Sequence, residues 1–254
     1  MIVETMTLEE IHKEIQEDFW TLEKVAYYRA DLFKSVVLKT KKYPVRRRYQ
    51  CFSKNHKNRY FLQFTASKRS AWDNPDITIY TIFSRPEGLY CAIVATEEGG
   101  MTYIYPPHFF SRYRERIIRD DSLSAEDLIH LYMSRYWGFY AEYVDPDNSE
   151  VKDWEQLVEE GTVDFVGTSI DGVLFGQRYQ KVALVKTIVS ESMLYPDQVD
   201  FYERVYLTHW ANLREHYPEK VYDYLMDLEE DYYQPPAEAT AEAIEQLRQK
   251  YNAQ

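Results

Sequence analysis

Residues 77–95 read ITIYTIFSRPEGLYCAIVA, and their pattern decides the fold. Two runs rich in β-branched and aromatic residues, Ile77–Phe83 and Leu89–Ala95, flank the turn formers Pro86-Glu87-Gly88. Runs of this composition, bounded by proline and glycine, are typical of β-strands. We therefore predict two antiparallel strands in this stretch.

Similar runs lie on both sides of this pair. Between Arg46 and Tyr105 the chain alternates strand-like runs with turn formers. Because the intervening turns are short, the pattern favours a five-strand antiparallel meander. The additional runs are Tyr49–Phe52, Tyr60–Thr65 and Met101–Tyr105, and the additional turn formers are Asn55, Asn58, Asn74-Pro75 and Gly99-Gly100.

The segment before the meander has helical periodicity. Apolar residues recur at steps of three and four across residues 7–39, from Leu8 and Ile11 to Val36. This spacing places them on one side of a helix. We predict a long amphipathic helix, continuous or broken once, that packs on a large apolar surface.

Helices and one hairpin are predicted after the meander. Helical patterns cover Pro107–Arg119 and Ser124–Tyr140. Two strand-like runs, Gly172–Arg178 and Lys181–Val189, are joined by a tight connection near Tyr179-Gln180 and predict a hairpin. A loop is expected at Asp145–Asn148, and further helices at Asp197–His216, Pro218–Tyr232 and Ala237–Tyr251.

These elements together predict an α+β fold with a central antiparallel β-sheet, a long N-terminal helix and a helical C-terminal region. Three segments follow from the pattern: an N-terminal helix (residues 1–40), an α+β core (41–190) and an acidic helical region (191–254). At 254 residues, the chain can also form one domain. Both organisations remain open at this stage.

Composition limits the class of protein. The chain is 45% hydrophobic and holds 24 tyrosines, enough apolar material for a sizeable core. It has no long apolar run and begins with an acidic amphipathic segment, so we expect a soluble, cytoplasmic protein that is not exported. Cys51 and Cys91 lie in apolar runs and are expected to be buried thiols. No metal-ligand spacing occurs, and we expect no metal and no cofactor.

Charge is distributed unevenly. Residues 41–120 hold 15 Lys and Arg against 7 Asp and Glu, a balance of +8. The net charge of the whole chain is −12, so the remaining residues carry a balance of −20. This distribution fits either a basic binding surface or two oppositely charged parts that neutralise each other on folding.

The predicted helix Pro107–Arg119 has two different faces. Phe110, Tyr113 and Ile117 share one side. The opposite side carries His108, Arg112, Glu115, Arg116 and Arg119. Histidine exchanges protons near neutral pH and arginine binds phosphate with two parallel hydrogen bonds, so this side has the groups that a phosphodiester site needs. A solvated face stabilised by Glu115–arginine pairs is the alternative.

The order of these elements resembles the small bacterial toxin ribonucleases of the RelE and BrnT type, over about residues 107–189. In those families, a helix bearing His and Arg precedes an antiparallel sheet, and a late strand supplies a hydroxyl or basic side chain. The resemblance implies metal-independent RNA cleavage through the 2′-hydroxyl. His108 would then transfer the proton, Arg112 and Arg116 would hold the phosphate, and Lys186 or Thr187 would stabilise the pentacovalent state.

A second basic stretch, Arg46-Arg47-Arg48-Tyr49, is a candidate nucleic-acid-binding surface. Its cations could follow a phosphate backbone while the ring stacks on a base. Alternation along a strand would place Arg46 and Arg48 on one face and Arg47 on the other. The alternative is an edge strand that positive charge protects from association.

Two functions remain open from the sequence. One is a non-catalytic interaction or assembly protein with a protein partner or self-association and no contact with a membrane. The other is a metal-independent RNA endonuclease centred on the helix of residues 108–119. Convergence of His108, Arg112 and Lys186 in one cleft would favour the enzyme. An exposed aromatic patch on residues 195–233 would favour assembly.

Overall fold

The computed structural model describes residues 1–94, 100–136, 138, 140–144, 161–195, 198–199, 201–203, 205–206 and 208. The predicted loop Asp145–Asn148, the predicted helices Pro218–Tyr232 and Ala237–Tyr251 and most of Asp197–His216 lie outside these residues.

The predicted long N-terminal helix is confirmed as α1, Leu8–Lys39. Thr7 begins it with a capping box, in which the Glu10 amide donates to Thr7 Oγ1 at 3.2 Å and the Thr7 amide donates to Glu10 Oε2 at 2.8 Å. These bonds pair donors that a helix start leaves free, which is why the helix begins here. In the described part of the chain, no helix is long and apolar enough to cross a membrane.

The described part of the chain holds nine strands: β1 Val45–Phe52, β2 Arg59–Ala66, β3 Asp76–Arg85, β4 Gly88–Val94, β5 Thr102–Tyr105, β6 Tyr140–Tyr143, β7 Val163–Ser169, β8 Gly172–Tyr179 and β9 Val182–Val189. They form one sheet, in the order β1-β2-β3-β4-β5-β9-β8-β7-β6.

The sheet is mixed, which corrects the prediction of a purely antiparallel sheet. Strands β1 to β5 form the predicted antiparallel meander. Strands β6 to β9 form a second antiparallel set. The two sets join where β5 pairs with β9 in parallel, with Thr102 opposite Val182. A pairing between residues so distant in sequence leaves no local pattern, which explains the error.

Of the two helices predicted after β5, the first is helical over nearly its predicted length and the second is shorter than predicted. The α-helix α2 covers Pro107–Tyr113 and continues as a π-helical turn, Arg114–Ile118, ended by Arg119 at φ 56°. The next helix, α3, covers Ala125–Ser134, so the predicted helix Ser124–Tyr140 is too long. Tyr140 instead begins β6, which pairs with β7. Neither β6 nor β7 was predicted.

Helices cover both faces of the sheet. Alternation along β2 sends Tyr60 and Leu62 to a first core under α1, and Phe61 to a second core under α2 and α3. A third apolar cluster joins Phe201 and Tyr202, in the helical residues after β9, to Val166 and Val173 of the sheet, among others. The N-terminal helix therefore shares a core with the strands that follow it.

Candidate functional site

A cleft of about 730 Å³ lies between α2, strands β7 to β9 and the segment that follows β9. All five residues predicted as catalytic line it: His108, Arg112, Arg116, Lys186 and Thr187. Pro106, Asp164, Phe165, Phe175, Gly176, Gln177, Val189, Met193, Tyr195 and Gln198 also line it. The fold therefore brings together two groups of predicted residues that lie far apart in the sequence, one on α2 and its π-helical turn and the other on β9.

The start of α2 explains why His108 and Arg112 face the cleft. Pro107 occupies the first turn, where a missing backbone N–H is harmless. Phe109 and Phe110 are buried in the second core, whereas His108 is exposed. Arg112 lies one turn after His108 and donates through Nη1 to Glu115 Oε2 at 2.6 Å. The imidazole and one guanidinium therefore share the outer side of α2.

Arg116 is anchored to the sheet. Its Nη1 donates to the carbonyl oxygen of Ile188 at 2.9 Å and to Thr187 Oγ1 at 3.4 Å. Partial burial lowers the pKa of Arg116 from its ordinary value, and the nearby Arg112 lowers it further. An arginine still stays charged near neutral pH, so this group is a partly desolvated cation held in one place.

A β-bulge places Lys186 and Thr187 side by side in the cleft. Phe175 pairs with Thr187, but the next residue, Gly176, pairs with Val185, so Lys186 is an extra residue in β9. In a regular strand, neighbouring side chains point to opposite faces. The bulge removes that alternation, and both side chains line the cleft.

Gly176 is required opposite this bulge. A Cβ at Gly176 would approach the Leu184 carbonyl oxygen and the Phe165 ring more closely than 3.0 Å. An isolated glycine inside a strand pattern is a sequence signal for a bulge or a close backbone approach. That signal could have predicted the shared orientation of Lys186 and Thr187 without any resemblance.

The described lining of the cleft holds more cations than anions. Arg112, Arg116 and Lys186 are cations and Asp164 is the one carboxylate among the described lining residues, while Glu115, outside the lining, pairs with Arg112. The Lys186 ammonium donates to Gln177 Oε1, which orients it. Three cations against one carboxylate favour a phosphate or another anion, and the arginines supply the geometry that binds phosphate oxygens. Asp164, Gln177 and Tyr195 were not predicted as site residues.

A buried hydrogen-bonded group fixes the orientation of α2. Arg135, after α3, donates through Nε and Nη2 to Asp171 Oδ1 at 2.9 and 2.8 Å. Tyr113 of α2 donates to Asp171 Oδ2 at 2.8 Å. Burial raises the pKa of the Tyr113 hydroxyl, and the Asp171 charge raises it further, so the hydroxyl stays protonated and keeps donating. The α2 face that carries His108 is thereby held towards the cleft.

The predicted nucleic-acid surface lies elsewhere. Strand β1, which carries it, is at one edge of the sheet. Five strand spacings of about 4.8 Å separate β1 from β9, or about 24 Å. Arg46 Nε donates to the Ser134 carbonyl oxygen at 3.2 Å, and Tyr49 packs edge-on against Phe64. Arg47 and Arg48 are exposed. Nucleic-acid binding by this edge remains a prediction.

Arg48 belongs to a separate polar cavity of about 560 Å³ that His130 also lines. His130 is 7% exposed, its Nδ1 is 2.8 Å from the Tyr80 hydroxyl, and its Nε2 is 3.5 Å from Glu126 Oε1. Burial lowers the pKa of His130 to about 4. These contacts fit the structural role that helical spacing from Glu126 suggests for this histidine.

Comparison with known proteins adds no relative. The chain matches no family model, no curated protein and no solved structure. Within the described ranges, no three His, Cys, Asp or Glu side chains are grouped so that they could hold a metal ion. The geometry of the cleft is therefore the basis on which its function is argued.

Proposed function

We propose that the cleft binds a phosphodiester of RNA and cleaves it by metal-independent attack of the adjacent 2′-hydroxyl. The observation that carries this proposal is the convergence of His108, Arg112, Arg116, Lys186 and Thr187 in one cleft. Convergence of this kind is what separates the enzyme from a non-catalytic interaction protein, because an interaction surface has no need of it.

The cations supply binding and charge stabilisation. Arg116 is held by Ile188 and Thr187 through one nitrogen, and the other N–H groups of its guanidinium can donate to a phosphate. Arg112 gives a second guanidinium one turn away, and Lys186 a third positive charge. Together they hold the non-bridging phosphate oxygens and stabilise the extra negative charge of the pentacovalent state.

His108 supplies the proton transfer. It accepts the 2′-hydroxyl proton while the 2′-oxygen forms a bond to phosphorus and the bond from phosphorus to the 5′-oxygen breaks. The leaving 5′-oxygen takes a proton from water at the open mouth of the cleft, and the hydroxide that this forms takes up the proton held by His108. The products are a 2′,3′-cyclic phosphate and a 5′-hydroxyl, and no redox change or metal ion is involved.

The test is cleavage of a labelled single-stranded RNA in EDTA. His108→Ala should lose at least about 100-fold in rate, the usual contribution of a general base. Ser111→Ala is the matched control, because Ser111 is exposed on the same helix and bonds only to the Pro107 carbonyl oxygen in the described structure. Equal rates for His108→Ala and wild type, or no cleavage by wild type, would contradict the proposal.

A further inference from the structure

The outer face of α1 exposes large apolar side chains. Trp20, Tyr27 and Tyr28 are 53%, 71% and 64% exposed, and Leu32 is 40% exposed. Single exposed apolar residues are common on protein surfaces, but three aromatic side chains on one helix face are not. At about 200 Å² for each aromatic side chain, their exposed parts amount to about 380 Å². Apolar patches of this size are often functional.

We infer that a second copy of this chain docks on this face and forms a symmetric dimer with antiparallel α1 helices. At about 100° per residue, the direction midway between Tyr27 and Tyr28 lies about 170° from the centre of the buried stripe of α1. A two-fold axis at that point therefore leaves each sheet on the far side of its own helix. It places each tyrosine beside its own counterpart in the partner, because Tyr27 and Tyr28 lie on opposite sides of the line along which the two helices touch.

The charges on this face are self-complementary about the same axis. Lys24 and Asp31 are both exposed and lie at equal distances, along the helix, from the midpoint of Tyr27 and Tyr28. An antiparallel pairing therefore brings Lys24 of each copy opposite the partner's Asp31, and the ion pair occurs twice. In a two-fold interface every contact is duplicated, so a face with like charges at these positions would repel itself. This complementarity is why a second copy is a better occupant than an unrelated chain.

The size of the face limits the affinity. The aromatic side chains of both copies contribute about 750 Å², and stable interfaces begin near about 1,200 Å². The neighbouring Glu23, Leu32 and Ser35 add to this area, and a small interface of this kind predicts a weak, reversible dimer. Helix α1 lies on the opposite side of the sheet from α2, so dimer formation leaves the cleft accessible.

Sedimentation equilibrium of the full chain between about 1 and 200 μM tests this inference. Wild type should show a monomer–dimer equilibrium. Lys24→Glu and Asp31→Lys each place like charges at both ion pairs, and each should raise the dimer Kd by about tenfold or more. An equimolar mixture of the two variants should dimerise again. In that mixed pair, an acidic side chain lies opposite a basic one at both ion-pair positions, which neither variant achieves with itself.

Asp121→Lys is the matched control. Asp121 is exposed and follows α2 on the opposite side of the sheet from α1, so its charge lies away from the proposed interface. The dimer Kd of this control variant should equal that of wild type. A wild type that stays monomeric at about 200 μM overturns the inference and leaves the face to residues 209–254 or to a different protein. Dimers unaffected by Lys24→Glu, or variants that fail to recombine in the mixture, overturn it as well.

Discussion

Gly176→Ala tests the bulge that shapes the cleft. The added Cβ would approach the Leu184 carbonyl oxygen and the Phe165 ring more closely than 3.0 Å. Because one of these neighbours is backbone, β8 and β9 must separate or the buried ring must move. Overpacking of this kind costs about 1–3 kcal/mol, and displacement of a buried ring adds to it, so we expect a loss of about 2–4 kcal/mol. This loss is a large part of the unfolding free energy of a typical protein, about 5–15 kcal/mol.

Urea unfolding followed by circular dichroism measures this loss. Gly161→Ala is the comparison, because its Cβ would meet only the Tyr179 ring at 3.4 Å while its φ of +88° adds backbone strain. We expect that strain to cost about 1 kcal/mol. The steric reasoning would be refuted if Gly176→Ala lowered the unfolding free energy by less than about 0.5 kcal/mol, or by no more than Gly161→Ala does. The midpoint temperature of thermal unfolding of Gly176→Ala should also be lower than that of wild type by roughly 10 °C.

Three further perturbations test other parts of the fold. Asp171→Ala removes the shared acceptor of Arg135 and Tyr113 and breaks a buried ion pair, so urea unfolding should show a loss of about 3–5 kcal/mol; a loss under about 1 kcal/mol would contradict this. Gln180→Gly should add about 0.5–1 kcal/mol to the unfolding free energy, because Gln180 has φ 50° in the β8–β9 turn, and a decrease would count against it. Burial lowers the pKa of His130 to about 4, so the unfolded chain, with an ordinary histidine pKa of about 6.5, binds that proton more readily. The unfolding free energy should therefore fall by about 2–3 kcal/mol as the pH drops from about 6.5 to about 4. When unfolding is measured across this pH range, His130→Gln should lack this fall.

Local patterns in the sequence predict the parts of the fold that depend on local contacts. Strands β1 to β5 pair with their sequence neighbours, and α1 buries a stripe that recurs at helical spacing, so runs and periodicity are sufficient. The β5–β9 pairing joins Thr102 to Val182 and has no local signal. Strand β7 holds Asp164 and Gly167 among its apolar residues, which weakens its strand pattern.

The candidate site also contains residues that local sequence patterns predict and residues that they do not. Helical spacing alone places His108, Arg112 and Arg116 on one face, because neighbours three and four residues apart share a side of a helix. Lys186 and Thr187 could not be assigned to one surface by strand alternation, which would separate them. Their shared orientation depends on the bulge opposite Gly176. Asp164 reaches the cleft on β7, a strand that pairs with β8 in a hairpin but has too weak a strand pattern to be predicted.

Cleavage of an RNA with a single 2′-deoxy substitution tests the central claim most directly. Wild-type protein in EDTA should cut the unmodified RNA and leave a 2′,3′-cyclic phosphate and a 5′-hydroxyl, and it should fail to cut at the deoxy position while cutting elsewhere. Cleavage at the deoxy position at an undiminished rate, products with a 5′-phosphate, or no cleavage of the unmodified RNA would contradict the assignment of the His108 cleft as a site of 2′-hydroxyl attack.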